Sequence, residues 1–209
     1  MRHRSVSATV LACAALILAS GCDDGNAAGS PTTAPPTPAT QSPSNFGAPT
    51  VENPLDTSSI DTKPCDVAKP EQMEQLPGTV GESKTEDTAA KSKSCAWLFD
   101  DEDQFSLGSV TAGTNLEVGA NGLRTYYKAQ AQGTLTVFEE LPPVKGYPAV
   151  AYEQGGEREG KCAMAVGVRD DRVYSLTVSL RKDHPNYSEP CTIGAKIAGF
   201  AIEYLQGRQ

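Results

Sequence analysis

Six cysteines constrain the fold of this chain more than any other residue type. Cys13 and Cys22 lie within or directly after an N-terminal apolar segment. The other four lie further along, where an even number is typical of disulfides in an exported protein: Cys65, Cys95, Cys162 and Cys191. Four cysteines allow three pairings, and we favour Cys65–Cys95 with Cys162–Cys191 because each pair closes a local unit. A closed loop of about 30 residues is worth roughly 3–4 kcal/mol.

The first 21 residues are predicted to be a signal peptide. Arg2 and Arg4 precede an uncharged apolar run over residues 6–20. This run is shorter than the roughly 20 apolar residues that a transmembrane helix needs, and it ends in small residues suited to cleavage. The sequence Ala-Ser-Gly-Cys at residues 19–22 resembles the lipobox of bacterial lipoproteins. That resemblance implies that Cys22 carries the membrane lipid, including palmitate, although an ordinary secretory signal with a leftover cysteine is the alternative.

Residues 22–52 are predicted to be a disordered tether, and residues 53–209 a folded domain. The tether is rich in Pro, Thr, Ala, Ser and Gly and has too few large apolar residues to bury. The chain after Cys22 keeps all 26 acidic residues and 16 of the 18 basic ones, so its net charge is −10. This acidity argues against a nucleic-acid partner, whose phosphates need basic residues. It also argues against electrostatic attachment to anionic lipid head groups.

In the first half of the domain, residues 79–93 lack apolar periodicity and are predicted to be a loop. Asn121 is a plausible helix N-cap because apolar residues follow it at helical spacing. The segments predicted to be regular are a helix over residues 66–76, strands over residues 94–99, 105–111 and 116–118, and a helix after Asn121.

The second half of the domain carries clearer patterns. Residues 162–168 and 174–180 alternate in polarity, which predicts an antiparallel hairpin with one buried face. Strand-like segments at 135–139 and 149–152 lie on either side of Pro142 and Pro143. A helix over about 190–205 carries an apolar stripe that should pack on the sheet: Ile193, Ile197, Phe200, Tyr204 and Leu205. The predicted fold class is α+β, a twisted and mainly antiparallel sheet packed by helices.

Several short motifs occur in an order that resembles a known family. They are Asn53-Pro54-Leu55-Asp56, Pro64-Cys65, Cys95-x-Trp97, Gly146-Tyr147-Pro148 and Pro190-Cys191. Over about residues 51–206 this order is similar to the actinobacterial lipoproteins grouped as DUF3558. The resemblance implies a domain analogous to the Mog1/PsbP-like folds of other envelope lipoproteins. The family carries no established activity, so no catalytic residue is implied, and fold alone does not give function.

The sequence offers no typical catalytic or metal-binding pattern, so we expect no enzymatic activity, no cofactor and no metal. His184 is the only histidine after Cys22, in a polar segment that we expect at the surface. The chain has no G-x-S-x-G elbow to supply a nucleophilic serine and no C-x-x-C pair to hold zinc. Five aromatic residues are expected in the core, with a ligand groove as the alternative: Trp97, Tyr126, Tyr127, Tyr147 and Tyr152.

These features favour a lipid-anchored, non-catalytic module on the outer face of the cytoplasmic membrane. Its expected partner is another envelope protein or a cell-wall component, and such a module should expose an apolar patch rimmed by polar groups. One alternative is a carrier of a lipid or small apolar ligand, which needs an apolar cavity on the order of 300 Å³ or more. A second alternative is an envelope hydrolase, which needs titratable groups that converge in a cleft.

Overall fold

The computed structural model describes residues 45–88, 92–100, 106–114, 121–155 and 159–208. These residues belong to a unit that begins at Gln41, and a separate unit, Met1–Thr40, lies outside them. The predicted signal peptide, the predicted lipid-attachment residue Cys22 and the predicted strand at 116–118 therefore lie outside the described residues.

Within the described residues, seven strands form one antiparallel sheet with the order β1-β2-β3-β7-β6-β5-β4. The chain leaves the middle of the sheet after β3, reaches the far edge at β4, and returns strand by strand until β7 pairs with β3. The strands are β1 (Thr79–Asp87), β2 (Lys93–Asp100), β3 (Ser106–Thr114), β4 (Val137–Val144), β5 (Tyr147–Glu153), β6 (Lys161–Arg169) and β7 (Arg172–Leu180). The β6–β7 hairpin and the α+β class are as predicted. The hairpin does not have a single buried face, because Ala165, Val173 and Ser175 on the second face are buried as well.

Helical segments lie before, within and after the strands. They are α1 (Ser58–Thr62), a 3-10 helix (Pro64–Val67), α2 (Pro70–Met73), α3 (Arg124–Ala131) and α4 (Pro190–Gln206). The last helix is the longest, with 17 residues. Pro190 opens it at the first helical position, where its missing N–H costs nothing and its fixed φ suits the helix.

The main core lies between one face of the sheet and α4. From α4, Ile193, Ile197 and Leu205 are fully buried against alternate residues of β6 and β7, such as Met164 and Leu176. Each such aliphatic side chain contributes about 1.5–3 kcal/mol relative to an exposed one. Burial of this stripe therefore fixes α4 on the sheet, as the sequence pattern predicted.

The opposite face of the sheet carries a smaller core under α3. Tyr126 of α3 packs with Val150 and Tyr152 of β5 and with Ala165 of β6. The other half of this face is more open, and Leu98 of β2 is 41 % exposed there. The two cores use alternate residues of the same strands, as the twofold side-chain period of a strand requires.

Two disulfides attach helical segments to the main-core face, and both are the predicted pairs. Cys65 of the 3-10 helix joins Cys95 of β2, with a sequence separation of 30 residues. Cys162 of β6 joins Cys191 in the first turn of α4, with a separation of 29. Their Cα–Cα distances of 4.9 and 5.2 Å lie within the ordinary range for disulfides.

The predicted loop at residues 79–93 is wrong, because residues 79–87 form strand β1. Among the described strands it is an edge strand whose single partner is β2, and its Lys84 and Thr85 side chains are exposed. An edge strand with both faces partly in water needs no apolar alternation, and charged side chains protect it from pairing with other chains. Backbone hydrogen bonds to β2 define this strand, and such bonds leave no hydrophobic pattern in the sequence.

Two helix predictions also need correction. The single helix expected over residues 66–76 is a 3-10 helix and α2, separated at Ala68 and Lys69 by extended backbone. Pro70 accounts for the break, because the residue before a proline avoids helical backbone. Asn121 does not cap α3, whose N-cap is Leu123 without a side-chain hydrogen bond.

The packed part of the chain begins before residue 53. Ala48 is buried in the smaller core, and the Val51 N–H donates to the Asp170 carboxylate at 2.8 Å. Composition assigned these residues to the tether because they include Pro and Thr. A short extended segment needs only one or two anchoring contacts, which composition does not show.

Candidate functional site

An apolar groove lies between α4 and the edge strand β4. Its volume is about 530 Å³, within the usual range for ligand sites. Apolar side chains form its floor, and charged or polar groups stand at its rim. The residues that line it are Leu141, Pro142, Pro143, Val144, Lys145, Cys191, Thr192, Ala195, Lys196, Gly199, Phe200 and Glu203.

The groove exists because β4 is the last strand of the sheet among the described residues, none of which covers the flank of α4 beyond it. Pro142 and Pro143 lie inside β4, at a point where the pairing register with β5 shifts. Proline has no N–H to donate, so it is tolerated on an edge strand or at a bulge. The two prolines also prevent another strand from forming a regular ladder with this part of β4.

The β4–β5 turn places a lysine across the groove. Lys145 and Gly146 both have positive φ, 50° and 86°, as the tight turns favoured in β-hairpins require. The aliphatic stem of Lys145 passes over Gly199 of α4, and a Cβ added at Gly199 would lie 3.5 Å from Lys145 Cε. Lys145 Nζ then forms an ion pair with Glu203 at 2.5 Å.

The ion pair lies at one end of the groove and is partly exposed. The Lys145 and Glu203 side chains are 50 % and 44 % exposed, and exposed ion pairs of this kind contribute about 0–1 kcal/mol. Glu203 also accepts a long hydrogen bond of 3.5 Å from Gln72. Lys196, at the other side of the rim, forms no ion pair with a described residue.

A second, more polar recess adjoins the groove at Pro143 and Lys145. Its volume is about 400 Å³, and residues 49–53 form one wall. The Tyr147 hydroxyl donates to the Asn53 carbonyl at 2.8 Å and so holds that wall against β5. Glu52 and Gln206 contribute exposed polar side chains to the recess.

Four of the five aromatic residues lie in the two cores, as expected, and the five do not form a common groove, which was the alternative. Trp97 and Tyr147 are buried in the main core, whereas Tyr126 and Tyr152 lie in the smaller core with ring centroids 4.4 Å apart. Tyr127 is partly exposed on α3 and donates to Glu140 at 2.8 Å. The two pairs occupy opposite faces of the sheet, so the groove between α4 and β4 is a different site, which aromatic content did not indicate.

The sequence signals for the α4–β4 groove were present but ambiguous. Phe200 stood in the apolar stripe of the last helix, yet Phe200 and Tyr204 remain partly exposed while the isoleucines of the stripe are fully buried. A stripe slightly wider than the sheet can cover is one such signal. The prolines in a strand are another, because they identify β4 as an edge.

His184 is buried, contrary to the expectation that it lies at the surface. It is 2 % exposed and packs edge-on against Phe99 with ring centroids 5.1 Å apart. Its Nδ1 accepts a hydrogen bond from the Asn186 N–H at 3.0 Å. Burial lowers the pKa of His184, and the nearby Pro77 carbonyl opposes this shift. Nδ1 is an acceptor, and Nε2 forms no well-formed hydrogen bond with a described residue.

Other shifted groups are also dispersed through the fold. Hydrogen bonds from Ser58 lower the pKa of the exposed Asp56 carboxylate. Burial raises the pKa of Tyr174, and burial together with Glu140 raises that of Tyr127. None of these side chains lines the α4–β4 groove or the recess beside it.

A partly buried polar cluster connects α1 to the sheet at its other end. Asp61 accepts hydrogen bonds from Arg172 at 2.7 Å and from Thr114. Arg172 also donates to Thr57 at 3.1 Å. The four side chains satisfy one another, and none of them lines the groove or the recess. We therefore assign the cluster to stability.

Within the described residues, no group of three or more His, Cys, Asp or Glu side chains is placed to hold a metal ion. No helix in that part of the chain combines the length and apolar character needed to cross a bilayer.

Comparison with protein-family models identifies a family for this chain. The model described as "Protein of unknown function (DUF3558)" matches residues 17–204. The chain belongs to the DUF3558 family. The match covers most of the chain and begins before Cys22. No curated protein and no solved structure matches, so the Mog1/PsbP-like analogy stays a prediction.

Proposed function

We propose that this DUF3558 protein is a non-catalytic binding module, anchored by lipid on Cys22 to the outer face of the cytoplasmic membrane. The α4–β4 groove carries this proposal. It is an exposed apolar groove of about 530 Å³ with a polar rim, on a domain that two disulfides cross-link. Exposed apolar surface is costly to a soluble domain and commonly marks a binding site. The partner is an envelope protein, a cell-wall component or an apolar ligand.

The enzyme alternative has less support from the described residues. An enzyme site brings titratable groups with shifted pKa values together in a cleft. Here the shifted groups are dispersed, and the groove residues that titrate are limited to Lys145, Lys196 and Glu203 at the rim. The carrier alternative has more support, because the groove exceeds the volume that an apolar ligand needs.

A photo-cross-linking experiment in the native envelope tests the binding role. A photoactivatable phenylalanine analogue at Lys196, on the groove rim, should capture a discrete species that Ala195→Trp in the same chain abolishes. The same analogue at Lys128, an exposed lysine on α3, serves as the matched control and should not capture it. Identical adducts from both positions, or adducts that survive Ala195→Trp, would exclude the groove as the binding surface.

The anchor is tested separately. Cys22→Ala should abolish acylation and move the protein to the soluble fraction, because two or more acyl chains are needed for stable membrane attachment. Retention of this variant in the membrane with its lipid unchanged would refute lipidation at Cys22.

A further inference from the structure

The groove and its adjoining recess differ in chemistry. The groove is mainly apolar, and it runs along α4 from Thr192 to Glu203, a length of about 17 Å at the helical rise. The recess beyond Lys145 offers exposed polar groups, among them Asn53 and Gln206. An elongated ligand that spans both must therefore have an apolar chain and a polar head.

The edge strand disfavours a peptide in extended conformation. A peptide that adds to a sheet edge relies on main-chain hydrogen bonds for affinity. At Pro142 and Pro143 that edge has no N–H to offer. Side-chain contacts along an apolar channel remain, which suit an acyl chain because it has no backbone polar groups to satisfy.

The charges around the two cavities balance. Lys145 pairs with Glu203 at the border between them, Lys196 lies on the groove rim, and Glu52 lies in the recess. An anionic head in the recess would face Glu52, and a cationic head would face Lys145. The net charge of −10 beyond Cys22 further disfavours an anion.

From this arrangement we propose that the groove and recess bind a neutral single-chain amphiphile, with its acyl chain along α4 and an uncharged hydroxyl-bearing head beyond Lys145. This inference rests on the proposed function and specifies the ligand class. A ligand that spans both cavities requires the exposed Lys145–Glu203 ion pair to open, and such pairs are weak.

The test compares three ligands that share a twelve-carbon chain, each below its micelle concentration: monododecanoylglycerol, dodecanoate and dodecyltrimethylammonium. The protein is the chain from residue 22 onward carrying Cys22→Ser, and affinity is measured by calorimetric titration. The neutral ligand should bind at least tenfold more tightly than either charged one. Absence of binding by all three, or equal or tighter binding of a charged ligand, overturns the proposal.

Two groove variants and one control locate the site. Ala195→Trp fills the groove, and Pro143→Trp obstructs the border with the recess from an exposed position. Both should weaken monododecanoylglycerol binding at least tenfold, whereas Gln130→Trp on α3 should leave it unchanged. If Ala195→Trp folds poorly, Pro143→Trp alone decides the test, provided that its thermal unfolding matches that of the unsubstituted chain. Unchanged affinity in both folded groove variants overturns the assignment.

The acylated chain gives a final comparison. If the acylated chain fails to bind monododecanoylglycerol while the Cys22→Ser chain binds this ligand, the protein's own acyl group occupies the groove. That result would overturn the proposal. If no amphiphile binds but the Lys196 cross-link to a protein persists and is lost in Ala195→Trp, the ligand inference fails while the proposed binding role stands.

Discussion

At the residue scale, two buried tyrosine hydroxyls differ in whether they have a partner. Tyr147 donates to the Asn53 carbonyl at 2.8 Å, whereas the Tyr174 hydroxyl, fully buried in the main core, has no hydrogen-bond partner among the described residues. A buried hydroxyl without a partner carries its desolvation cost uncompensated. Tyr174→Phe should leave the free energy of unfolding unchanged or raise it by up to about 1 kcal/mol.

Tyr147→Phe is the matched comparison for that prediction. It removes a formed hydrogen bond and leaves the Asn53 carbonyl unpaired, so it should lower the free energy of unfolding by about 1 kcal/mol. Urea unfolding with an unchanged m-value measures both variants. A loss in Tyr174→Phe as large as that in Tyr147→Phe would mean that the Tyr174 hydroxyl does have a partner.

His184 gives the fold a pH dependence of predictable sign. Burial places its folded-state pKa below the ordinary 6.5, so the unfolded chain binds the proton more readily. The stability contribution is complete above pH 6.5 and is lost as pH falls through the lower folded pKa. Protonation at Nδ1 would also break the hydrogen bond from the Asn186 N–H.

Unfolding free energies measured from pH 7.5 down to 5 test this effect. The wild-type chain should lose stability below pH 6.5, and His184→Gln should show a flatter profile. No other histidine lies beyond residue 3, and the hydrogen-bonded Asp56 carboxylate titrates below its ordinary 3.8. An identical slope in His184→Gln would assign the effect elsewhere.

The burial of His184 also shows what a local pattern leaves out. Its neighbours Lys182, Asp183 and Pro185 are all exposed, so the local sequence indicates a surface loop. The ring is covered from a distance, by Phe99 of β2 and by Gly78, where a Cβ would lie 3.0 Å from Nε2. Such tertiary contacts have no counterpart in sequence spacing. The aromatic groove, which was the alternative to a core location, does not form because the sheet separates residues that lie on its opposite faces.

At the element scale, the interior of the sheet was predictable and its edges were not. β6 and β7 are flanked on both sides, and the alternation of their residue types could be read from the sequence, although most of their residues are buried whichever face they lie on. Among the described strands, β1 and β4 have a partner on one side only, and a solvent-exposed edge tolerates polar residues and proline. The groove lies at one of these edges, so it was missed together with the extent of β4.

Two glycines of α4 should respond oppositely to alanine. A Cβ at Gly199 meets only Lys145 and Val144, at 3.5 Å or more. Because alanine favours the helix over glycine, Gly199→Ala should stabilise the fold by about 0.5–1 kcal/mol. A Cβ at Gly194 would lie 2.6 Å from the Sδ of the fully buried Met164.

Gly194→Ala should therefore destabilise the fold, by about 1–3 kcal/mol, because the overpacked core must shift. Chemical unfolding of both variants measures the contrast. Gly194→Ala should cost less stability when it is added to Met164→Ala than when it is added to the wild-type chain, because the clash with Met164 is then absent. Equal stabilisation by both alanines would show that α4 does not approach the sheet as closely as described.

At the scale of the whole molecule, the two disulfides act on one face of one sheet at separate places. One joins the 3-10 helix to β2, and the other joins the start of α4 to β6. Their sequence separations of 30 and 29 residues are nearly equal, so chain entropy predicts nearly equal stabilisation, roughly 3–4 kcal/mol each. Replacing either pair by serine should lower the free energy of unfolding by a similar amount.

The two disulfides should differ in their effect on binding, although they should have similar effects on stability. Cys191 lines the groove and fixes the first turn of α4, whereas Cys65 lies outside it. Cys162→Ser with Cys191→Ser should therefore reduce cross-linking from a photoactivatable residue at Lys196. Cys65→Ser with Cys95→Ser should preserve that cross-linking under conditions where both variants are fully folded. If the Cys162–Cys191 bridge acts locally, only its removal should disturb the wall that α4 provides to the groove. Equal loss of cross-linking in the two variants would therefore mean that the groove depends on the overall stability of the fold.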